Sequence, residues 1–216
     1  MQKITDATGA AGDQFGYSVS ISGNYTIIGA FRDDLGANTD QGSVSIYRYN
    51  GSIWVLWQKI TDATGTAGDN FGKSVSISGN YAIVGAPQES VGANAFQGSA
   101  SIYRYNGSNW ELLSKITDAT GAASDSFGWS VSISGSYAIV GAPYDNVGAN
   151  SDQGSASIYQ RVGLGWQKLQ YVTDPGGNLS DYFGYSVSFE GSTQRFVIGS
   201  YTYANYSGKV VFGKVN

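Results

Sequence analysis

The feature that most constrains this chain is a tandem repeat. Gln2-Lys3-Ile4-Thr5-Asp6-Ala7-Thr8-Gly9 returns as residues 58–65 and, with one change, as residues 114–121. A weaker copy runs Gln170-Tyr171-Val172-Thr173-Asp174-Pro175-Gly176-Gly177. A Phe-Gly pair falls at Phe15, Phe71, Phe127 and Phe183, each 56 positions after the last. The repeat units are therefore 2–57, 58–113, 114–169 and a shorter 170–216. A period of this length means that each unit folds as the same supersecondary element and buries its faces against its neighbours.

Within a unit the pattern is β throughout. Phe71 to Ser78 alternates apolar and small polar residues, the period of a strand. Gly79-Asn80 turns the chain into Tyr81–Ala86, and a long loop from Pro87 to Gln97 leads to Ser99–Tyr105. Asn106-Gly107 then reads as a hairpin turn with both residues at positive φ, delivering the chain into Trp110–Ile116. No amphipathic helical stretch interrupts this pattern. Four short strands per unit with Gly and aromatic punctuation predict an all-β fold, a β-propeller with four blades of four antiparallel strands, as a single domain over 1–216. The last unit lacks a fourth strand, while Gln2–Thr5 matches the end of one. The expected architecture is thus a ring closed by the N-terminal strand pairing in the last blade, with a fragment of a larger ring and a blade-pooling dimer as alternatives.

Composition removes several functions. The chain has 216 residues, no Cys and no His, so disulfides, thiolate chemistry, zinc-cysteine sites and histidine bases are all excluded. Twelve basic against 16 acidic residues give a net charge of −4, and the pI is near 4.6. That balance argues against nucleic acid, whose binding needs a basic face. No apolar run approaches the roughly 18 residues of a membrane helix, and the first residues lack the apolar core of a secretion signal. Only 13% of residues are charged, so Ser, Asn, Gln, Thr, Gly and Tyr cover much of the exterior. This composition fits an extracellular or cell-surface part of a larger or processed protein.

Phe71-Gly72 followed by Gly85-Ala86-Pro87, and Phe127-Gly128 followed by Gly141-Ala142-Pro143, resemble FG-GAP repeats. Gly29-Ala30-Phe31 is a near match, and Gly199-Ser200-Tyr201 departs from it. The resemblance implies blades of the kind found in the integrin α-subunit N-terminal domain and in bacterial surface proteins. It implies adhesion, ligand binding or scaffolding rather than catalysis. Calcium-binding members carry an Asp-x-Asp-x-Asp-Gly loop, which this sequence lacks.

Two carboxylates recur per unit: Asp6 and Asp13, Asp62 and Asp69, Asp118 and Asp125, Asp174 and Asp181. They have the chemistry of a Ca²⁺ site, but two carboxylates seven positions apart fall short of about six to eight oxygens. Capping of a loop by backbone N–H groups is the favoured reading, with no cofactor. Presence in all four units also argues against a glycosidase acid and nucleophile, which need one pair with unlike environments. Asn38 with Gln41, Asn94 with Gln97 and Asn150 with Gln153 are expected to brace the long loop; binding sugar hydroxyls is the alternative. Trp54, Trp110 and Trp166 are expected to pack over their own blade and the next. The fourth unit replaces the long loop by Tyr201-Thr202-Tyr203-Ala204-Asn205-Tyr206. The residue after Phe-Gly is Tyr17, Lys73, Trp129 or Tyr185. Trp129, Tyr182, Tyr185, Tyr201, Tyr203 and Tyr206 are accordingly the candidate ligand patch, on the face carrying the long loops. The expected partner is a protein or a glycan bound by a monomer, or by a dimer sharing blades, without membrane insertion.

Overall fold

The computed structural model describes residues 1–215; Asn216, the end of the expected last strand, lies outside them. The first sheet is β1 (Ser18–Ser22), β2 (Tyr25–Ala30), β3 (Ser43–Tyr49) and β4 (Trp54–Thr61), in that order and antiparallel throughout. The second repeats it as β5 (Ser74–Ser78), β6 (Tyr81–Ala86), β7 (Ser99–Tyr105) and β8 (Trp110–Ile116). The third comprises β9 (Ser130–Ser134), β10 (Tyr137–Ala142), β11 (Ser155–Val162) and β12 (Gly165–Val172). The fourth has three strands, β13 (Ser186–Glu190), β14 (Arg195–Ser200) and β15 (Lys209–Lys214), with a one-turn helix α1 (Tyr203–Tyr206) between the last two. Four twisted sheets packed face to face in sequence order are compatible with a propeller.

The core lies between sheets. Ile27, Val44 and Ile46 of the first pack against Val75, Ile77, Val84 and Trp110 of the second. Ile83, Ala100 and Ile102 then meet Val131, Ile133 and Trp166, and Ile139, Ala156 and Ile158 meet Phe189, Phe196 and Ile198. Strand alternation creates both faces at once, since odd and even residues point to opposite sides. Each buried Val or Ile contributes about 1.5–3 kcal/mol.

The Phe-Gly pair sets the spacing of these seams. Phe71, Phe127 and Phe183 are fully buried, and each donates its N–H to the preceding sheet, to Gln41 O, Gln97 O and Gln153 O at 2.8–2.9 Å. The following glycine brings its carbonyl against another glycine. A Cβ on Gly29, Gly85 or Gly141 would stand 2.0–2.1 Å from the O of Gly72, Gly128 or Gly184. Those carbonyls accept hydrogen bonds from Ser18, Ser74 and Ser130 hydroxyls at 2.7–2.8 Å. Deeper in the seam, Ser20, Ser76 and Ser132 hydroxyls accept from the N–H of Ile77, Ile133 and Phe189 at 3.1 Å. The small serines of the Ser-Val-Ser pattern thus join adjacent inner strands through their side chains.

Several expectations need correction. Gln2–Thr5 form no strand and do not pair with β15, which is an edge of the fourth sheet. The segment is tied to the first sheet instead. The Gln2 amide donates to Trp54 O at 2.9 Å and accepts from Trp54 N at 2.7 Å, as the Gln58 amide does with Trp110. The outer faces of the first and fourth sheets do not meet, leaving Val19 66% and Phe212 80% exposed. Trp110 and Trp166 pack on the preceding sheet rather than the next, edge-on to Tyr25 at 5.6 Å and to Tyr81 at 6.2 Å. Trp54 has no preceding sheet and is half-buried beside Tyr49. In the Asn-Gly turns only Gly51 and Gly107 have positive φ. Asn50 and Asn106 instead accept two backbone N–H bonds each on their side chains, closing a four-residue loop.

The seam geometry makes two expectations. Gly85→Ala drives a methyl group into a backbone carbonyl and lowers stability by about 1–3 kcal/mol or more in urea unfolding. Ser74→Ala, which removes only the hydroxyl bonded to that carbonyl, costs about 1 kcal/mol. Equal effects would contradict the close approach.

Candidate functional site

The residue after each Phe-Gly begins an inner strand at the long-loop end, so adjacent sheets place these four residues side by side. The Lys73 ammonium lies 4.4 Å from the Tyr17 ring, 4.2 Å from Phe31 and 5.0 Å from Trp129. Trp129 stands 5.3 Å from Tyr185 and edge-on to Tyr144 at 5.5 Å. Tyr185 and Tyr201 are 4.4 Å apart, Tyr182 stacks on Tyr201 at 5.9 Å and meets Tyr144 at 5.1 Å, and Tyr206 follows Tyr201 at 6.3 Å. The result is a continuous aromatic run with the Lys73 ammonium inside it and the Arg32 guanidinium over Phe31 at 5.4 Å.

Five of the six sequence-predicted residues therefore converge: Trp129, Tyr182, Tyr185, Tyr201 and Tyr206. Tyr203 does not, because the short helix α1 turns it away, under the Lys209 ammonium at 4.7 Å. Sequence reasoning missed Tyr144, which follows Gly141-Ala142-Pro143 and faces Trp129 across the loop. The positions after the Gly-Ala-Pro triplets were the available signal. Burial and the neighbouring tyrosines Tyr185, Tyr201 and Tyr182 push the Tyr144 hydroxyl above its usual range, so it remains a neutral donor at physiological pH.

Tyr182 is held by its backbone. It has φ +51°, matching Gln14, Asn70 and Ser126 at the same repeat position. This left-handed turn costs about 1 kcal/mol for a non-glycine residue and is locked by Tyr182 N–H to Asp152 O and Tyr185 N–H to Tyr182 O. Beside a hollow of about 400 Å³ lined by Tyr185, Tyr201, Gly199 and Lys209, two more flank the run. One of about 360 Å³ is lined by Trp129, Tyr144, Phe96, Gln88, Ser124 and Ser126. The other, about 410 Å³, lies by Tyr182, Tyr206 and Thr202. A larger hollow, about 720 Å³, is at the opposite end of the first sheet beside Arg48 and Trp57. It adjoins none of the aromatic run, so its size alone does not make it the site.

Each of the paired carboxylates accepts at least one hydrogen bond from its own loop. Asp6 accepts from the N–H and hydroxyl of Thr8, and Asp13 from Ala10 N at 2.6 Å; Asp62, Asp69, Asp118 and Asp125 repeat these loop bonds. Asp174 and Asp181 do the same through Gly176 and Asn178 N–H. A third carboxylate in each of the first three units, Asp33, Glu89 and Asp145, went unnoticed in the sequence. Lys59 bridges Asp6 at 3.1 Å and Asp33 at 2.7 Å, and Lys115 bridges Asp62 and Glu89. In the third unit Tyr171 takes the lysine position and donates to Asp145 at 2.6 Å, while Lys168 reaches Asp118 alone. In the fourth, Lys209 pairs with Asp174. The Asn and Gln of the long loop form a clamp between units. Asn38 donates to Gln41 Oε1 and Gly65 O, and Gln41 donates to Asp62 O, a pattern repeated at Asn94 with Gln97 and Asn150 with Gln153. Their amides are spent on bracing.

These contacts shift acidities in opposite directions. Burial works to raise Asp6, Asp62 and Asp118, but the threonine and lysine bonds outweigh it and hold all three below the usual range. Their stabilisation is present above the unfolded value near 3.8 and is lost as pH falls through the lower folded values. Asp125 goes the other way, to about 6. Burial is the main cause, opposed by the Ala122 N–H and reinforced by the charges of Asp145, Asp118 and Asp152. With Tyr171 in place of the bridging lysine, Asp145 forms no ion pair among the described residues. A raised carboxyl favours folding at low pH, so its contribution declines as pH rises from about 4 to about 6. Asp125→Asn keeps the Ala122 bond and removes this slope. Urea unfolding from pH 4 to 7 should show stability falling with pH in the native chain more than in the variant; identical slopes would refute it.

Comparison with known proteins follows this geometry. The FG-GAP repeat model matches residues 1–47, 54–103 and 110–159. No curated protein matches the chain in sequence. Among solved structures, the Saccharomyces cerevisiae protein Sqt1 is similar at 10% identity and TM-score 0.51, over 95% of this chain and 64% of that one. TolB from Acinetobacter baumannii is similar at 10% identity and TM-score 0.49, over 92% of this chain and 41% of that one. The chain thus spans less than two thirds of the length of these structures, and the likeness to Sqt1 concerns the fold alone. Three matched repeats covering most of the sequence, with the Phe-Gly and Gly-Ala-Pro elements forming the seams, show that the chain belongs to the FG-GAP repeat family.

Proposed function

We propose that the chain is a non-catalytic binding module of adhesion or scaffold type, working at the cell surface or outside the cell. Its ligand surface is the aromatic run on the long-loop face. The observation that carries this reading is the convergence of Trp129, Tyr144, Tyr182, Tyr185 and Tyr201 around one end of the inner strands, with Lys73 beside them. Tyr and Trp present large contact area with few rotatable bonds, so they bind at low entropic cost. A protein or peptide partner would use both the ring faces and the tyrosine hydroxyls.

A glycan ligand is the second reading. It is favoured by the 360 Å³ hollow, where Trp129, Tyr144 and Phe96 offer an apolar floor and Gln88, Ser124 and Ser126 a polar rim. The paired carboxylates take no part in either reading, and no bound metal is invoked. Addition of EDTA or millimolar Ca²⁺ should move the melting temperature by no more than about 1 °C. A site filled to 100 times its dissociation constant would add about 2.7 kcal/mol and raise it by several degrees.

Screening on a glycan array and on an array of extracellular proteins distinguishes the two ligands. The double variant Trp129→Ala/Tyr201→Ala should lose at least tenfold in affinity for whatever the native chain binds, about 1.4 kcal/mol. Tyr203→Phe, outside the run, should leave it unchanged. Retention of native binding by the double variant would remove the proposed surface.

A further inference from the structure

Among the described residues, the first and fourth sheets each carry half of a seam with no other half against it. At the three internal seams a Phe-Gly plug from one sheet enters a glycine socket of the sheet before. The first sheet presents an unseated plug. Phe15 is half-exposed where Phe71, Phe127 and Phe183 are at most 1% exposed. Nothing lies within 4 Å of a Cβ placed on Gly16, whereas one on Gly72, Gly128 or Gly184 meets a backbone carbonyl at 2.1–2.6 Å. Val19 and Ile21 are 66% and 64% exposed, against 8% and 5% for Val75 and Ile77 at the same repeat positions.

The fourth sheet presents the empty socket. Gly199 stands where Gly29, Gly85 and Gly141 each take a neighbour's carbonyl, yet it meets only its own Ser186 hydroxyl. Ser186 keeps the serine that donates to that carbonyl at the internal seams. Gly208 keeps the positive φ, +76° against +85° to +89° at Gly42, Gly98 and Gly154. Val210 and Phe212 are 55% and 80% exposed where Val44 and Ile46 are fully buried.

We infer that these two surfaces bind each other between two copies of this chain, plug of one into socket of the other. The occupant is identified by the internal seams, which show the same pair of surfaces meeting three times. The contact is heterologous, so it must either close or propagate. Two four-sheet arcs joined at both ends give an eight-bladed ring, within the usual range of four to eight, whereas three would exceed it. The terminal seam lacks the Asn-Gln clamp, because Ser207 stands in place of the glutamine and the long loop is shortened. Association is therefore weaker than an internal seam and depends on concentration. This inference does not rest on the aromatic ligand surface, and its test involves no ligand.

The test is solution mass by light scattering or sedimentation equilibrium on the 216-residue chain, from about 1 to 100 μM, using two variants broken at opposite ends. Val19→Glu/Ile21→Glu spoils the plug face, and Phe212→Glu the socket face. These side chains are exposed in the single chain, so the variants fold, which near-UV circular dichroism verifies. Gly199→Ala gives a second socket variant with no change in charge. The native chain should run at about twice the 22.8 kDa chain mass, and each variant alone at one chain mass. An equimolar mixture of plug and socket variants should recover a dimer, because one intact plug and one intact socket remain. A native chain that stays monomeric across this range overturns the inference. So does a variant that still dimerises alone, or a mixture that stays monomeric.

Discussion

Everything in this molecule depends on the close approach of a backbone carbonyl to a glycine of the preceding sheet. At 2.0–2.1 Å from the place a Cβ would occupy, Gly72 O, Gly128 O and Gly184 O can enter only because Gly29, Gly85 and Gly141 have no side chain. That contact fixes the distance between inner strands. It also lets serine hydroxyls bridge them and buries the phenylalanine beside it. The Val and Ile rows on either side then meet at packing distance. The Phe-Gly and Gly-Ala elements of the repeat are two halves of one joint, in which steric fit and hydrogen bonds set the spacing and the apolar rows beside them are buried.

A second layer of polar contacts rims the long-loop end of each seam. The Asn-Gln pair reaches from one unit to the carbonyls of the next, and Lys59 and Lys115 each gather carboxylates from two loops of the unit before. These contacts fix loops that carry little regular structure, in a chain with few charges to spare. Rigid loops in turn give the aromatic side chains of the same face a defined floor. The third unit shows how finely this is balanced. Tyr171 in place of a lysine leaves Asp145 with a neutral partner, and burial, reinforced by the charges of Asp145, Asp118 and Asp152, raises the pKa of Asp125 to about 6.

Much of this was legible in the sequence. Alternation along Ser74–Ser78 and Ser130–Ser134 identified inner strands, since a two-residue period has only one regular structure to match. The cluster of Trp129 with Tyr185 was legible from its position after Phe-Gly, which the repeat carries to the same end of every sheet. Tyr203 was misplaced because α1 is a local helical turn in a loop of unique sequence, with no repeat to calibrate it. Tyr144 was missed because proximity across a loop is not a spacing. The tryptophans were assigned to the wrong neighbour for a similar reason: the direction in which a side chain leans across a seam depends on sheet twist, which period and composition do not encode.

The sequence by itself determined the unit, its strands, its turns and its family, because these follow from periodicity and from the backbone freedom of glycine. It also placed the long loops of every unit at one end of the sheets. Tertiary structure decided how the units relate at the chain's two limits. Gln2–Thr5 bear a strand-like sequence, yet bond through the Gln2 amide to Trp54 and leave β15 as an edge. Val19 and Phe212 occupy the repeat positions of the buried Val75 and Ile46 and yet stand in the open. The reason is physical: whether an apolar row is buried depends on the surface opposite it, and a repeat specifies both surfaces without specifying which copies meet.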